Sequence, residues 1–98
     1  MVLANSAYLS NVTSLHLECN DFTVQGAQAL ANSPYLSNVT TLDLKFNDIN
    51  DKGMGVLANS THLSKMTSLN LEENAITEDG FCEIDFPSRV RMTLGPFR

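Results

Sequence analysis

The sequence VTSLHLECNDF at residues 12–22 returns as VTTLDLKFNDI at residues 39–49 and as MTSLNLEENAI at residues 66–76. Each copy begins 27 residues after the one before it. Two leucines in each copy alternate with polar residues, which predicts a short strand that turns both leucines to one face. An asparagine follows every strand at the same position, as Asn20, Asn47 and Asn74. The chain is therefore predicted to be a stack of repeated units.

The second half of each unit has the i, i+3, i+4 spacing of an amphipathic helix. The apolar residues with that spacing are Ala27, Leu30 and Ala31, then Met54, Leu57 and Ala58, and in part Phe81 and Ile84. Good N-cap residues stand just before these segments, at Thr23, Asn50 and Thr77. Asn32 and Asn59 follow the first two helices, where a left-handed residue commonly ends a helix. Each unit is thus predicted as a strand, a turn, a helix and a return segment.

The pattern V-x-x-L-x-L-x-x-N-x-F at residues 12–22 resembles the leucine-rich repeat pattern L-x-x-L-x-L-x-x-N-x-L, and the other two copies match it in the same register. The long helical half with its glycine is similar to the ribonuclease-inhibitor-like subclass. The resemblance implies an α/β fold, a right-handed solenoid in a short horseshoe arc, with parallel concave strands and convex helices. It also implies that a protein partner meets the concave face.

The chain is expected to be a single domain over residues 1–98, with repeats at about 3–29, 30–56 and 57–83 and an irregular C-terminal cap at 84–98. Pro87 should stop the last helix, and the alternation of Val90, Met92 and Leu94 predicts a final strand. Met1 falls where the last turn of a helix is expected, so no N-terminal cap is visible. We expect either a piece of a longer repeat array or a homo-oligomer that covers this end.

The repeated asparagines and glycines are interpreted as architecture. Buried amides at the asparagine positions would form a ladder to backbone groups where the strands turn away. The glycines recur at Gly26, Gly53 and Gly80, three residues after each N-cap. They are expected to permit close approach of helix and strand, since no glycine-rich phosphate loop surrounds them.

Composition excludes several classes of function. The chain has 98 residues, of which 43% are hydrophobic and 17% charged, which is the composition of a folded domain. Its net charge of −5 argues against nucleic acids and anionic membranes as partners. The first residues do not have the pattern of a signal peptide, and two cysteines without Cys-x-x-Cys spacing predict no disulfide framework. We expect a cytoplasmic protein, or one exported without a classical signal peptide.

Residues between the leucines should point out of the sheet, and stacking should align them in columns. The predicted partner-binding columns are Ser14, Thr41 and Ser68; His16, Asp43 and Asn70; Glu18, Lys45 and Glu72; and Cys19, Phe46 and Glu73. We call these twelve residues the strand face, and Asp21, Asp48 and Ala75 extend it at the rim. Six of the eleven acidic residues fall on this face and rim, against Lys45 alone. Phe46 is its one large apolar side chain, in the manner of a binding hot spot.

Catalysis is not predicted. His16, Cys19 and Asp43 include a nucleophile and a base, but nothing supplies an oxyanion hole or a walled pocket. No cofactor is expected, and no dedicated metal site, because His16, Cys19 and Asp43 lack a credible fourth ligand for zinc, although His16, Glu18 and Asp43 could hold a metal weakly.

The expected function is protein–protein interaction, with a basic or neutral protein or peptide bound on the acidic concave face. The alternative is a self-assembling or structural repeat fragment of a larger protein, with no ligand of its own.

Overall fold

A parallel four-stranded sheet forms one side of the molecule. The structure is a computed structural model that describes residues 7–95, so the start of the repeat predicted at about 3–29 and the end of the cap predicted at 84–98 lie outside the described residues. The strands are β1 (Ser14–His16), β2 (Thr41–Asp43), β3 (Ser68–Asn70) and β4 (Arg91–Thr93), in the spatial order β1-β2-β3-β4. The final strand predicted after Pro87 is thus present, in register with β3.

Three helices lie between successive strands: α1 (Val24–Ala31), α2 (Asn50–Ala58) and α3 (Glu78–Glu83). They pack in sequence order, α1 on α2 and α2 on α3, while 3₁₀ turns at Ala7–Asn11 and Pro34–Leu36 form return segments. This alternation of parallel strands and helices confirms the predicted α/β solenoid arc. None of the helices described is long and apolar enough to cross a lipid bilayer.

The core lies between the sheet and the helices. The leucines at the centre of the strands are register partners, Leu15 with Leu42 and Leu42 with Leu69. The middle residue is the least exposed of the three in β2 and β3, which confirms the alternation read from the sequence. Helix residues such as Leu30 and Leu57 close the core from the other side. A single unit could not bury these leucines, so each unit depends on its neighbour.

The helix ends match the sequence only in part. Thr23 and Thr77 cap α1 and α3 through hydroxyl groups that accept hydrogen bonds from the Gln25 and Gly80 amides. Asn50 also caps its helix, since its Oδ1 accepts hydrogen bonds from the amides of residues 52 and 53, at 3.0 and 3.3 Å. The left-handed conformation expected after α1 and α2 is wrong, because the asparagines that follow them, Asn32 and Asn59, have φ of −97° and −91°.

Two of the repeated glycines, Gly26 and Gly53, make room for side chains of the preceding loop rather than for a strand, whereas Gly80 faces Asp51 of α2. A Cβ on Gly26 would lie 2.7 Å from Phe22 Cδ1, and one on Gly53 would lie 2.5 Å from Ile49 Cγ2. The expected reason, close approach of helix and strand, is therefore wrong for these two glycines. Phe81 also departs from the predicted pattern, since α3 is short and leaves this side chain 41% exposed.

The asparagine ladder is present and links each unit to the one before it. The side-chain oxygen of Asn47 accepts hydrogen bonds from the Asn20 and Phe22 amides, both at 2.9 Å. Its nitrogen donates to the Leu17 carbonyl at 3.1 Å and to the Leu44 carbonyl at 2.8 Å. These bonds saturate backbone groups where the strand ends and the chain turns toward the helix.

The third asparagine, Asn74, makes the same kind of hydrogen bonds and is more deeply buried. Asn74 is only 1% exposed, donates to the carbonyls of Leu44 and Glu72, and accepts from the Ile49 amide. Asn20 is exposed, and its side chain donates to the Glu18 carbonyl. Burial of the ladder thus increases from the first unit to the third.

We predict that Asn74→Ala lowers the free energy of unfolding by about 3 kcal/mol, because it leaves buried backbone groups without partners. Asn20→Ala is the matched control and should cost about 1 kcal/mol or less, since water can replace its exposed hydrogen bond. Urea unfolding followed by circular dichroism measures both. Equal losses in the two variants would contradict a ladder that is strongest where it is buried.

Candidate functional site

The strand register aligns the predicted columns of the strand face. Ser14 pairs with Thr41 and Thr41 with Ser68, and the same register aligns His16, Asp43 and Asn70. The parallel hydrogen-bond ladder continues beyond the strands, from the Cys19 amide to the Lys45 carbonyl and from the Phe46 amide to the Glu72 carbonyl. The other two columns are therefore held in line by backbone hydrogen bonds as well.

The last column stands on a repeated left-handed turn. Cys19, Phe46 and Glu73 all have φ of 58°, which is uncommon for residues with a side chain. Asn47 stabilises this turn in the second unit by donating to the Leu44 and Lys45 carbonyls. The turn takes Phe46 out of the strand alternation and leaves its side chain 55% exposed. An apolar ring is thus presented to solvent by a hydrogen-bonded turn.

The carboxylates of the face differ in exposure. The side chain of Asp43 is only 16% exposed and that of Glu18 is 31% exposed, whereas Asp48 at the rim and Glu73 in the column of Phe46 are exposed. Glu72 is half-buried in the same column as Lys45. Negative charge therefore concentrates toward the carboxyl ends of the strands, on both sides of the Phe46 turn.

The fourth strand adds residues to the sheet that are not among the predicted columns. Arg91 is the register partner of Ser68, and Thr93 is the partner of Asn70. Arg91 and the exposed Arg89 thus bring positive charge beside the start of β3, so Lys45 is not the only basic residue along the sheet. The alternation of Val90, Met92 and Leu94 was the signal that could have placed Arg91 in the first column.

The structure also gathers a polar cluster at the first-unit end of the strand face. His16 Nδ1 lies 3.3 Å from Glu18 Oε1 and 3.9 Å from Asp43 Oδ2. The other ring nitrogen, Nε2, lies 3.1 Å from the Ser14 hydroxyl. Within residues 7–95 the Cys19 thiol forms no hydrogen bond to His16, and the thiol is exposed at the turn.

Comparison with known families agrees with this geometry. A family model described as Leucine Rich repeat matches residues 8–31, 35–58 and 62–80, more than half of the chain. Each matched segment contains one strand and at least the first three residues of one helix. The match does not distinguish the ribonuclease-inhibitor-like subclass from others. A search of curated proteins finds no significant match. Leucine-rich repeats generally serve as protein-interaction modules and are typically not enzymes.

We predict that the strand face tolerates substitutions that the core does not. Phe46→Ala should change the free energy of unfolding by no more than about 0.5 kcal/mol, because the ring is mostly exposed. Leu44→Ala, two residues earlier and fully buried, should cost about 2–5 kcal/mol. Thermal and urea unfolding of both variants make the comparison. A large loss for Phe46→Ala would show that the ring serves the fold and not a partner.

Proposed function

This chain belongs to the leucine-rich repeat family, and we propose that it binds a basic or neutral protein or peptide on its acidic strand face. The observation that carries the proposal is Phe46, an apolar ring that is 55% exposed on a hydrogen-bonded turn of the central unit. Burial of such a ring by a partner removes apolar surface from water. A large aromatic ringed by polar groups has the anatomy of a binding hot spot.

The charges around the ring define the kind of partner. Glu72 lies in the neighbouring unit, and its backbone carbonyl accepts a hydrogen bond from the Phe46 amide at 3.0 Å. Glu73 in the column of Phe46 and Asp48 at the rim are both accessible to solvent. Carboxylates in this arrangement attract a partner that carries lysine or arginine, and they speed its approach. Lys45, in the same column as Glu72, supplies one hydrogen-bond donor for a carbonyl or carboxylate of that partner.

The scaffold supports recognition because its turns and strands are already hydrogen-bonded before a partner binds. The Asn47 side chain stabilises the turn that carries Phe46 by hydrogen bonds to its backbone. The strand before this turn, β2, is paired with a neighbouring strand on each side. A preorganised surface loses less conformational entropy when a partner binds.

We predict that peptides selected from a random display library by the native chain carry a net positive charge and an apolar residue. Phe46→Ala and Glu72→Gln should each weaken their binding at least about tenfold, as expected for a hot-spot ring and its charged neighbour. Isothermal titration calorimetry on the selected peptides measures the loss.

Matched controls lie away from the strand face. Tyr35 is 36% exposed on a return segment, and Glu83 is exposed on the last turn of α3. Tyr35→Ala and Glu83→Gln should leave the affinity unchanged. Peptides that bind all four variants equally would refute the assignment of the strand face, and acidic peptides would refute its charge preference.

A second candidate function is self-association, favoured by the outer edge of β1. In residues 7–95, β1 pairs only with β2, and the amide oxygen of Asn20 accepts none of the hydrogen bonds that its counterpart Asn47 accepts. A further repeat unit placed on this edge would complete the ladder. Arg89 and Arg91 at the β4 end have the charge to meet the acidic β1 end of a second copy.

We predict that light scattering over a wide concentration range detects association of this chain. The Leu17 amide donates to the Asp43 carbonyl of β2, so alternation along the strand turns the Ser14 amide away from β2. Ser14→Pro should therefore reduce association, because proline removes that outward donor. Circular dichroism checks that the variant folds. A chain that stays strictly monomeric at high concentration contradicts this second candidate and leaves the peptide-binding proposal standing.

A further inference from the structure

We propose that His16, Glu18 and Asp43 bind one divalent transition-metal ion of the zinc type at the first-unit end of the strand face. One donor atom from each residue lies within 4.8 Å of the other two. Ligand atoms of a tetrahedral zinc ion lie about 3.3 Å apart, because its bonds to nitrogen and oxygen are about 2.0–2.2 Å long. The observed separations of 3.3 Å and 3.9 Å from His16 Nδ1 are close to that value. Small rotations of the side chains would place all three around one ion.

A buried oxygen points to a ligand at this position. Glu18 Oε1 is shielded from water and accepts no hydrogen bond within the described residues, although the His16 ring lies beside it. The Glu18 side chain is 31% exposed as a whole, but a carboxylate oxygen removed from water with only an imidazole ring nitrogen beside it is poorly compensated. A cation held between the imidazole and the two carboxylates would compensate this oxygen.

The backbone positions the donors before any ion arrives. His16 and Asp43 are direct register partners of β1 and β2, and the next amide, that of Leu17, donates to the Asp43 carbonyl at 2.9 Å. Asp43 Oδ1 accepts a hydrogen bond from the Lys45 amide at 3.2 Å, while Oδ2 is the oxygen nearer to His16. One carboxylate oxygen is thus held by the protein and the other is directed into the cluster.

The imidazole has the second contact that metal-binding histidines commonly have. Its Nε2 lies 3.1 Å from the Ser14 hydroxyl, which leaves Nδ1 for the ion. A hydrogen bond at the remote nitrogen fixes the tautomer and the ring orientation of such a ligand.

The donor set selects the class of ion. One neutral imidazole and two carboxylates balance a divalent charge, and the mixture of nitrogen and oxygen suits zinc, cobalt or nickel better than calcium or magnesium. His16 is 60% exposed on its side chain, so water can reach the remaining coordination positions. Solvent therefore supplies the fourth ligand that the sequence lacks.

The neighbouring columns offer an internal comparison. In the next unit Lys45 stands where Glu18 stands, and Asn70 stands where Asp43 stands, so the donor set occurs once along the described strands. Asn70 Oδ1 accepts a hydrogen bond from the Glu72 amide at 3.0 Å, just as Asp43 Oδ1 does from Lys45. The substitution Asp43→Asn therefore keeps the turn and removes the charge.

Calorimetric titration of zinc into the full chain, after dialysis against a chelator, tests the site. The expected result is one ion per chain, with binding weakened at least roughly tenfold by His16→Gln and by Asp43→Asn. His62→Gln is the matched histidine control and should bind like the native chain. Calcium should bind much more weakly than zinc.

The exposed thiols of Cys19 and Cys82 require a separate control, because zinc also binds thiolates. The Cys19→Ser/Cys82→Ser variant should retain binding. Loss of binding in this variant, unchanged binding in His16→Gln, or no zinc binding by the folded native chain would overturn the proposal. If Asp43→Asn fails to fold, the His16 and His62 pair decides the outcome, and NMR signals of the His16 ring report the ion directly. None of these readouts depends on a peptide bound at Phe46.

Discussion

The amide of one asparagine per unit is the interaction on which the rest of this structure depends. Where a strand ends and the chain turns toward its helix, the backbone loses the regular partners of a sheet, and a buried group without a partner is costly. Asn47 supplies an oxygen to two amides of the preceding unit and a nitrogen to carbonyls of both units. A single side chain therefore closes the turn and joins two units.

The same ladder separates the residues that maintain the scaffold from those that can vary. Leu42 and Leu69 at the centres of β2 and β3 are buried between neighbouring units, and their identity is set by packing. Residues on the outer side of the strands have no such constraint, so histidine, aspartate and asparagine occupy one column. A recognition surface can change on such a scaffold without loss of the fold. Both the exposed Phe46 ring and the His16 cluster lie at positions whose identity is not set by packing in the core.

Much of the fold could be predicted from the sequence because the repeat shows each position three times. The strands, two threonine caps and the asparagine ladder follow from local spacing and from the need to pair buried polar groups. The conformation after α1 and α2 could not be read in this way, because the helices end in hydrogen bonds from the Asn32 and Asn59 amides rather than in a left-handed turn. The exposed Phe81 and the close neighbours of Gly26 likewise depend on the length and path of each loop.

The sequence by itself determined the repeat, the direction of each strand residue and the identity of the columns, since periodicity alone decides which side chains share a face. Tertiary structure decided which members of a column come together. His16 approaches Glu18 and Asp43, and not Cys19, because strand register brings Asp43 alongside His16 while the chain turns at residue 19. The tertiary structure also placed Arg91 beside Ser68. The last unit is shorter than the period of 27 residues, so the period alone does not predict this pairing. Distances between side chains on different units depend on register and on turns, and neither is a property of one segment.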